Sequence, residues 1–562
     1  MGKKTEEKNN DTIGLLTEVS WEVCNKVGGI FTVLSTKARC LKEQFGDRLV
    51  FIGPDVWTDD NPSPWFDEKK RLLKSASSKM KLPMGISIRV GRWKIPGTPI
   101  AVLVKFDGVY EHLNTVFGKM WEEFKVDSLH AYGDYNEGCA FAVASAIVIR
   151  SLVEYLEIGE AETVAHFNEW TSGMGLLYLR SVMPQAASIF TTHATSIGRS
   201  ICGNGKPLYE YFENYNGDQM AYELNMEAKH SLEKRAAQYA DCFTTVSEVT
   251  ALECSQLLDV TPDVVTPNGF EPDFVPSSAK WKKLRTNGRN RLFEIVEALT
   301  GHRPDSEALI VATSGRNEYR NKGLDMFIDS MGALAEKNEE KEICAFILVP
   351  AWVKEPSESL LRKISGNGGD AEYPDFATHR LNNEDSDNVF RRLSQLRAEG
   401  RIGGNRKVSI VYIPCYLDGS DGVLNIAYYD LLPAIDMTIF ASYYEPWGYT
   451  PLESVAFGVP TLTTDKAGFG KWVEGISRNS LSEFGVKVIE RNDNNYASAV
   501  GQIAEEVSRY AASGKEVRKT AREGAEKTAS LADWSKFIGY YDQAFEIAMQ
   551  KRDARMTEKN KK

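Results

Sequence analysis

Two carboxylates eight residues apart, Glu445 and Glu453, stand in a stretch whose other residues suit anion binding. Residues 437–441 form a short apolar run that reads as a buried strand, a loop of aromatics and glycine follows, and 450–457 carries helical spacing with Pro451 in its first turn. Gly448, Tyr449 and Thr450 then lie where a helix offers backbone N–H groups to phosphate. This unit provides a seat for phosphates, one carboxylate in the loop and a second in the helix for hydroxyls. The plainer alternative is an ordinary strand–loop–helix with two solvated glutamates.

Three further groups invite chemistry. Arg316 and Lys322 follow an apolar run at 309–313, and a fork-shaped guanidinium plus a compact ammonium suit a diphosphate, or else form a solvated basic turn. Arg320, between them, is set aside. Strands expected at 163–167 and 187–192 end in Asn168-Glu169-Trp170 and His193-Ala194-Thr195, with Arg199 six residues past the histidine. Ligands of open α/β sheets gather at carboxyl strand ends, so Glu169, His193 and Arg199 are expected at one rim, although a lone histidine is commonly structural. Lys26 adjoins Gly28 and Gly29 in a loop between a run at 12–19 and a helical face of Ile30, Val33, Leu34, Ala38, Leu41 and Phe45. It sets a cation against phosphate or sugar, or is a surface lysine on a tight turn; the loop is no GxGxxG fingerprint. Tyr428 either stacks on a nucleobase or packs in the core.

The elements that must position these groups need more than one core. A chain of 562 residues suggests two domains of Rossmann size, and a net charge of -11 argues against a nucleic-acid partner. The eight cysteines form no CxxC pair, which fits thiols in a reducing cytosol. Residues 1–11 are polar and lack the apolar core of a signal peptide, and the longest apolar run, 139–149, falls short of a membrane span. A cytoplasmic protein with no membrane partner is the expectation. Residues 350–407 are too many for a bare loop and read as a helical insertion with helices at 357–364 and 388–396.

The phrase SYYEPWGYTPLES closely resembles glycogen synthases of the eukaryotic, UDP-glucose-using type, and Glu445 and Glu453 match the E-x7-E motif of retaining glycosyltransferases with the GT-B fold. The phrases at 18–30, THATS, TPNGF, SGRNEYRNKGLDMF and VLNIAYYDLL are similar to the same family. The resemblance spans 12–545 and implies a fold class of α/β, GT-B, with two Rossmann-like domains facing across a deep cleft. It implies a disordered tail at 1–11, an acceptor-side domain at 12–270, a nucleotide-sugar domain at 271–530, and at 531–562 a helix returning to the first domain, frayed from Lys551. Asn268-Gly269 is the expected pivot.

The implied activity is transfer of glucose from a nucleotide-glucose to a glycogen or α-glucan acceptor, with no cofactor and no metal. Glu445, Arg316, Lys322 and His193 would be catalytic, and Lys26, Gly28, Gly29, Glu169, Arg199, Tyr428, Gly448, Tyr449, Thr450 and Glu453 would bind substrate, Glu453 at the ribose. Eukaryotic members carry a longer insertion that assembles tetramers and a dense arginine run that binds glucose 6-phosphate. This chain has a shorter insertion and only Lys515, Arg518, Lys519 and Arg522 there, which leaves homo-oligomerisation and sugar-phosphate activation open. The competing readings are another retaining GT-B α-glucosyltransferase, such as a phosphorylase or sucrose-type synthase, and a catalytically inactive glucan-binding scaffold.

Overall fold

The computed structural model describes residues 12–58, 60–337, 340–368, 374–403 and 407–561, so the tail expected at 1–11 lies outside the described residues. The chain folds as two compact units: the first runs to Glu271 and takes up the chain again at Asp533, and the second is Pro272–Ala532.

The first unit is built on strands β1 (Leu15–Val19), β2 (Leu49–Pro54), β3 (Phe66–Glu68), β4 (Ser87–Trp93), β5 (Ile100–Lys105), β6 (Thr163–Asn168), β7 (Ala187–Thr192), β8 (Cys242–Thr245) and β9 (Val264–Val265). Their order in the sheet is β3-β4-β5-β2-β1-β6-β7-β8-β9, parallel except for β3 and β4 at one edge. β1, β6 and β7 are buried along their whole length, as parallel strands covered on both faces must be. β1 begins at Leu15 rather than at Thr12. The apolar run 139–149 lies inside the helix Tyr135–Leu156, which is long and apolar enough to cross a membrane, contrary to the expectation from the run alone. That helix has 72% of its apolar window buried within the protein, the mark of a core helix.

The helix Trp534–Lys561 belongs to this first unit. The Trp534 indole N–H donates to Thr36 Oγ1 at 2.7 Å, and Phe545 meets Phe45 edge-on at 5.6 Å. The fraying expected from Lys551 is not found; the helix continues to Lys561. Lys551 pairs with Asp263, Arg552 donates to the carbonyls of Ala161 (2.7 Å) and Gln185 (3.0 Å), and Arg555 grips the buried Asp241 carboxylate through two bonds of 2.9 Å. A polar composition was misread as solvation because the partners lie hundreds of residues away. At Gly269, in the expected pivot, a β-carbon would stand 2.6 Å from the Trp534 ring, so the position is tightly packed.

The second unit has strands β10 (Leu309–Ser314), β11 (Ile343–Leu348), β12 (Val353–Pro356), β13 (His379–Leu381), β14 (Val408–Ile413), β15 (Met437–Ile439), β16 (Thr461–Thr464) and β17 (Val486–Ile489). The parallel sheet runs β14-β11-β10-β15-β16-β17. β12 and β13 form a separate antiparallel ribbon inside the insertion expected to be helical, beside the helices Glu358–Ile364 and Asn388–Ala398. Strands of four and three residues are too short to show a period in sequence.

Candidate active site

In the second unit β10 and β15 are parallel neighbours, so the loops after them share one rim. There Lys322 and Glu445 form an ion pair, with side chains 13% and 16% exposed. The pair is held by backbone. The Asn321 carbonyl accepts the N–H groups of Tyr443 (2.9 Å) and Tyr444 (3.1 Å), and Gly468 N–H donates to the Glu445 carbonyl at 3.0 Å. Gly323, at φ 69°, lies against Ala441 so closely that a β-carbon would stand 1.9 Å from its carbonyl oxygen. Only glycine fits there. Beneath the loop the buried Arg491 guanidinium donates to the same Ala441 carbonyl. Arg320 and Arg491 lie 4.3 and 5.4 Å from the Tyr443 ring centre, and Asp493 accepts from Tyr443 Oη (2.7 Å) and Arg320 (2.8 Å). Arg320 is thus occupied in bracing the loop.

Arg316 projects from the same rim, 61% exposed and paired with Glu318 at 3.0 Å. The helix Tyr449–Ala456 starts from Gly448 at φ 106° with no side-chain cap, so its first turn faces the rim without an acidic residue of its own. Glu453 is buried on this helix and accepts the Tyr429 hydroxyl at 2.7 Å. Burial and then the Glu453 charge push the Tyr429 phenol well up, which keeps it a donor. Tyr428, for which base stacking and core packing were both open, is half-buried with its hydroxyl 3.0 Å from Ser314 Oγ.

The first unit carries the other cluster at the carboxyl ends of β6 and β7. Glu169 precedes the helix Trp170–Val182 with a backbone at φ 70°, makes no side-chain cap bond to it, and its carboxyl group accepts the His193 N–H at 3.1 Å. Burial and the neighbouring Glu233 push its carboxyl up to about 8, against the pull of Arg199. The loop after β7 is pinned by two more buried acids: Glu233 accepts from Ser196 N (2.8 Å) and Oγ (2.6 Å), and Glu253 from Thr195 Oγ1 (2.7 Å). Burial holds the His193 ring down to about 3, so it is neutral at physiological pH. Under this loop Glu18 on β1 pairs with Lys37 at 2.9 Å, both fully buried.

Lys26, Gly28 and Gly29 are exposed. The N-terminus of the helix that follows, Gly29–Phe45, is engaged by a carboxylate of the chain itself: Glu22 accepts from Gly28 N–H (2.7 Å) and Phe31 N–H (2.8 Å). Among the described residues no group of three or more His, Cys, Asp or Glu is placed to hold a metal ion.

The family model described as glycogen synthase matches residues 18–365 and 353–561, nearly the whole chain. The chain belongs to the glycogen synthase family. Relatives include glycogen [starch] synthase of Neurospora crassa (27% identical; 96% of this chain, 84% of the relative) and isoform 2 of Saccharomyces cerevisiae (28%; 96% and 86%). Among solved structures, the catalytic domain of starch synthase IV from Arabidopsis thaliana, bound to ADP and acarbose, superposes with a TM-score of 0.56 at 13% identity, covering 95% of this chain and 99% of that one. The α,α-trehalose 6-phosphate synthase of Burkholderia multivorans gives 0.50 at 11% identity over 97% and 98%. These likenesses establish the GT-B fold, and with the family they make the chain a glycosyltransferase.

Within this glycogen synthase family member the sequence reading missed residues that hold the site. Glu18 and Lys37 carried a visible signal, a charge inside an apolar strand and a charge at helical spacing on an apolar face. Tyr429, Asp493 and Arg491 carried none, because their partners come from loops far along the chain.

Proposed function

We propose that the protein transfers glucose from a nucleotide-glucose, UDP-glucose in preference, to the 4-hydroxyl at the non-reducing end of an α-1,4-glucan with retention of configuration, in the cytoplasm. The observation that carries this reading is the Lys322–Glu445 pair at the rim shared by the loops after β10 and β15, followed by the helix Tyr449–Ala456 with no acidic residue in its first turn, in a chain of the glycogen synthase family. Fixed positive charge and helix N–H groups suit a departing diphosphate, and a carboxylate at that spot suits the sugar it leaves. On donor binding the Lys322 ammonium is shared with the diphosphate, Arg316 turns from Glu318 to a second phosphate oxygen, and Glu445 orients the glucose and offsets positive charge at its anomeric carbon. Glu453, aligned by Tyr429, takes the ribose hydroxyls. Attack comes from the face of departure, and a phosphate oxygen helps remove the acceptor proton. The eight free cysteines fit a reducing compartment.

The test supplies labelled UDP-glucose and ADP-glucose separately with glycogen as acceptor, then digests the product with an α-1,4-specific glucosidase. Label released as glucose, faster from the UDP donor, is expected. No incorporation from either donor would sink the reading.

A further inference from the structure

The polar layer under His193 fixes more than its position. Asn168, at the end of β6, lies between two groups. Its Nδ2 donates to Glu18 Oε2 (3.0 Å) and to the Val19 carbonyl (3.3 Å), and its Oδ1 lies 3.1 Å from His193 Nε2. A carboxylate and a carbonyl only accept. Burial pushes the Glu18 carboxyl up, but His166 and Lys37 beside it outweigh that and hold it at about 2, so it is ionised. Turning the amide round would set an oxygen against two oxygens. The amide therefore has one orientation, and the His193 nitrogen facing its oxygen must carry the hydrogen.

The same carboxylate settles a second histidine in the opposite sense. Glu18 Oε1 lies 3.1 Å from His166 Nδ1, which must donate to it, leaving His166 Nε2 to accept from Thr191 Oγ1 at 2.6 Å. The layer is closed by Lys37, whose ammonium pairs with Glu18 and lies 4.3 Å from the Tyr541 ring centre on the helix Trp534–Lys561. The charged and titratable groups facing His193 are thus Glu18 from β1, Lys37 from the first helix and His166 from β6, with Glu169 on its backbone N–H.

We propose that Asn168 is a positioning residue that locks His193 as the neutral Nε2–H tautomer, so that the ring meets substrate with Nδ1 as a hydrogen-bond acceptor for a sugar hydroxyl. The ring is then a reader of hydroxyl donors and not a cation for phosphate. A ligand group in its reach that is itself only an acceptor, such as a phosphate oxygen, finds lone pair against lone pair. The substrate half of this inference rests on the glucosyl-transfer reading; the tautomer half does not.

The experiment uses the full chain labelled with ¹⁵N-histidine, free of substrate, with His193→Gln and His166→Gln assigning the two rings. Wild type should show His193 protonated at Nε2 and His166 at Nδ1, each as a single neutral tautomer. Asn168→Ala should release His193 into a mixture of tautomers and leave His166 unchanged, a pattern that general loss of structure cannot give. In Asn168→Asp the added carboxylate should raise the His193 pKa and bring its titration into a measurable range. In transfer assays Asn168→Ala should lower kcat/KM about tenfold or more. A wild-type His193 protonated at Nδ1, or a tautomer unmoved by Asn168→Ala, overturns the proposal even if Asn168→Ala fails to fold, because the first is read on wild type. Unchanged kcat/KM in Asn168→Ala overturns the substrate half. A wild type with the expected tautomers but no glucosyl transfer overturns the proposed function and leaves the tautomer lock standing.

Discussion

At the first unit's rim charge is sunk into the sheet, where Glu18 and Lys37 are fully buried and pair with each other. At the second unit's rim the charges stay near water: Arg316 is 61% exposed, and Lys322 and Glu445 keep 13% and 16%. Burial makes partner exchange costly, since a charge that lets go of its partner has no water to turn to. Such groups serve to fix directions, of an amide, an imidazole, a loop. Ions that keep some contact with water exchange a side-chain partner for a phosphate at less cost, the exposed Arg316 least of all. One rim is a rigid template and the other a set of replaceable contacts.

Four changes test that contrast. Glu18→Gln removes the carboxylate paired with the fully buried Lys37 ammonium and should destabilise the protein by about 3–5 kcal/mol, seen as a lower urea midpoint. A midpoint unmoved within about 0.5 kcal/mol would show that the buried layer is no template. Lys322→Ala should lower kcat for transfer about 10²–10³-fold with the urea midpoint nearly unchanged, while Arg316→Ala, more exposed, should cost about tenfold. Equal stability losses at 18 and 322 would erase the distinction between the rims. The smallest effect is expected from Glu169→Gln. The Glu169 carboxyl is raised to about 8 when folded, so the native state holds a proton that the unfolded chain releases near the ordinary glutamate range. Stability from this group is full below that range and is lost as pH rises toward 8. Thermal midpoints of wild type should fall between pH 5 and 8 more steeply than those of Glu169→Gln; parallel curves would assign the slope elsewhere.

Much of the fold could be read because its strands are continuous apolar runs: β7 appears at the expected residues, and β6 and β10 each run one residue further than expected. The E-x7-E pair was legible as spacing, and the structure puts Glu445 on Lys322, a contact across 123 residues that no spacing announces. The short edge strands β3 and β12 were missed for want of a period, and the basic end of the last helix was misread because an arginine on a distant carboxylate looks, in sequence, like an arginine in water. Arg320 was set aside from the phosphate role and is found bracing Tyr443 through Asp493, a use visible only once the loop after β15 is in place.

The helix Trp534–Lys561 also has a consequence for how the molecule is made. Lys37 reaches its aromatic face, and Thr36 its indole donor, only from residues synthesised some five hundred positions later. The second unit is contiguous in sequence and has all its parts once the ribosome has passed Ala532, whereas the first, begun earlier, must wait with an open seam until the segment after Asp533 emerges. A stop codon just before Trp534 would therefore harm the half of the protein that was translated first.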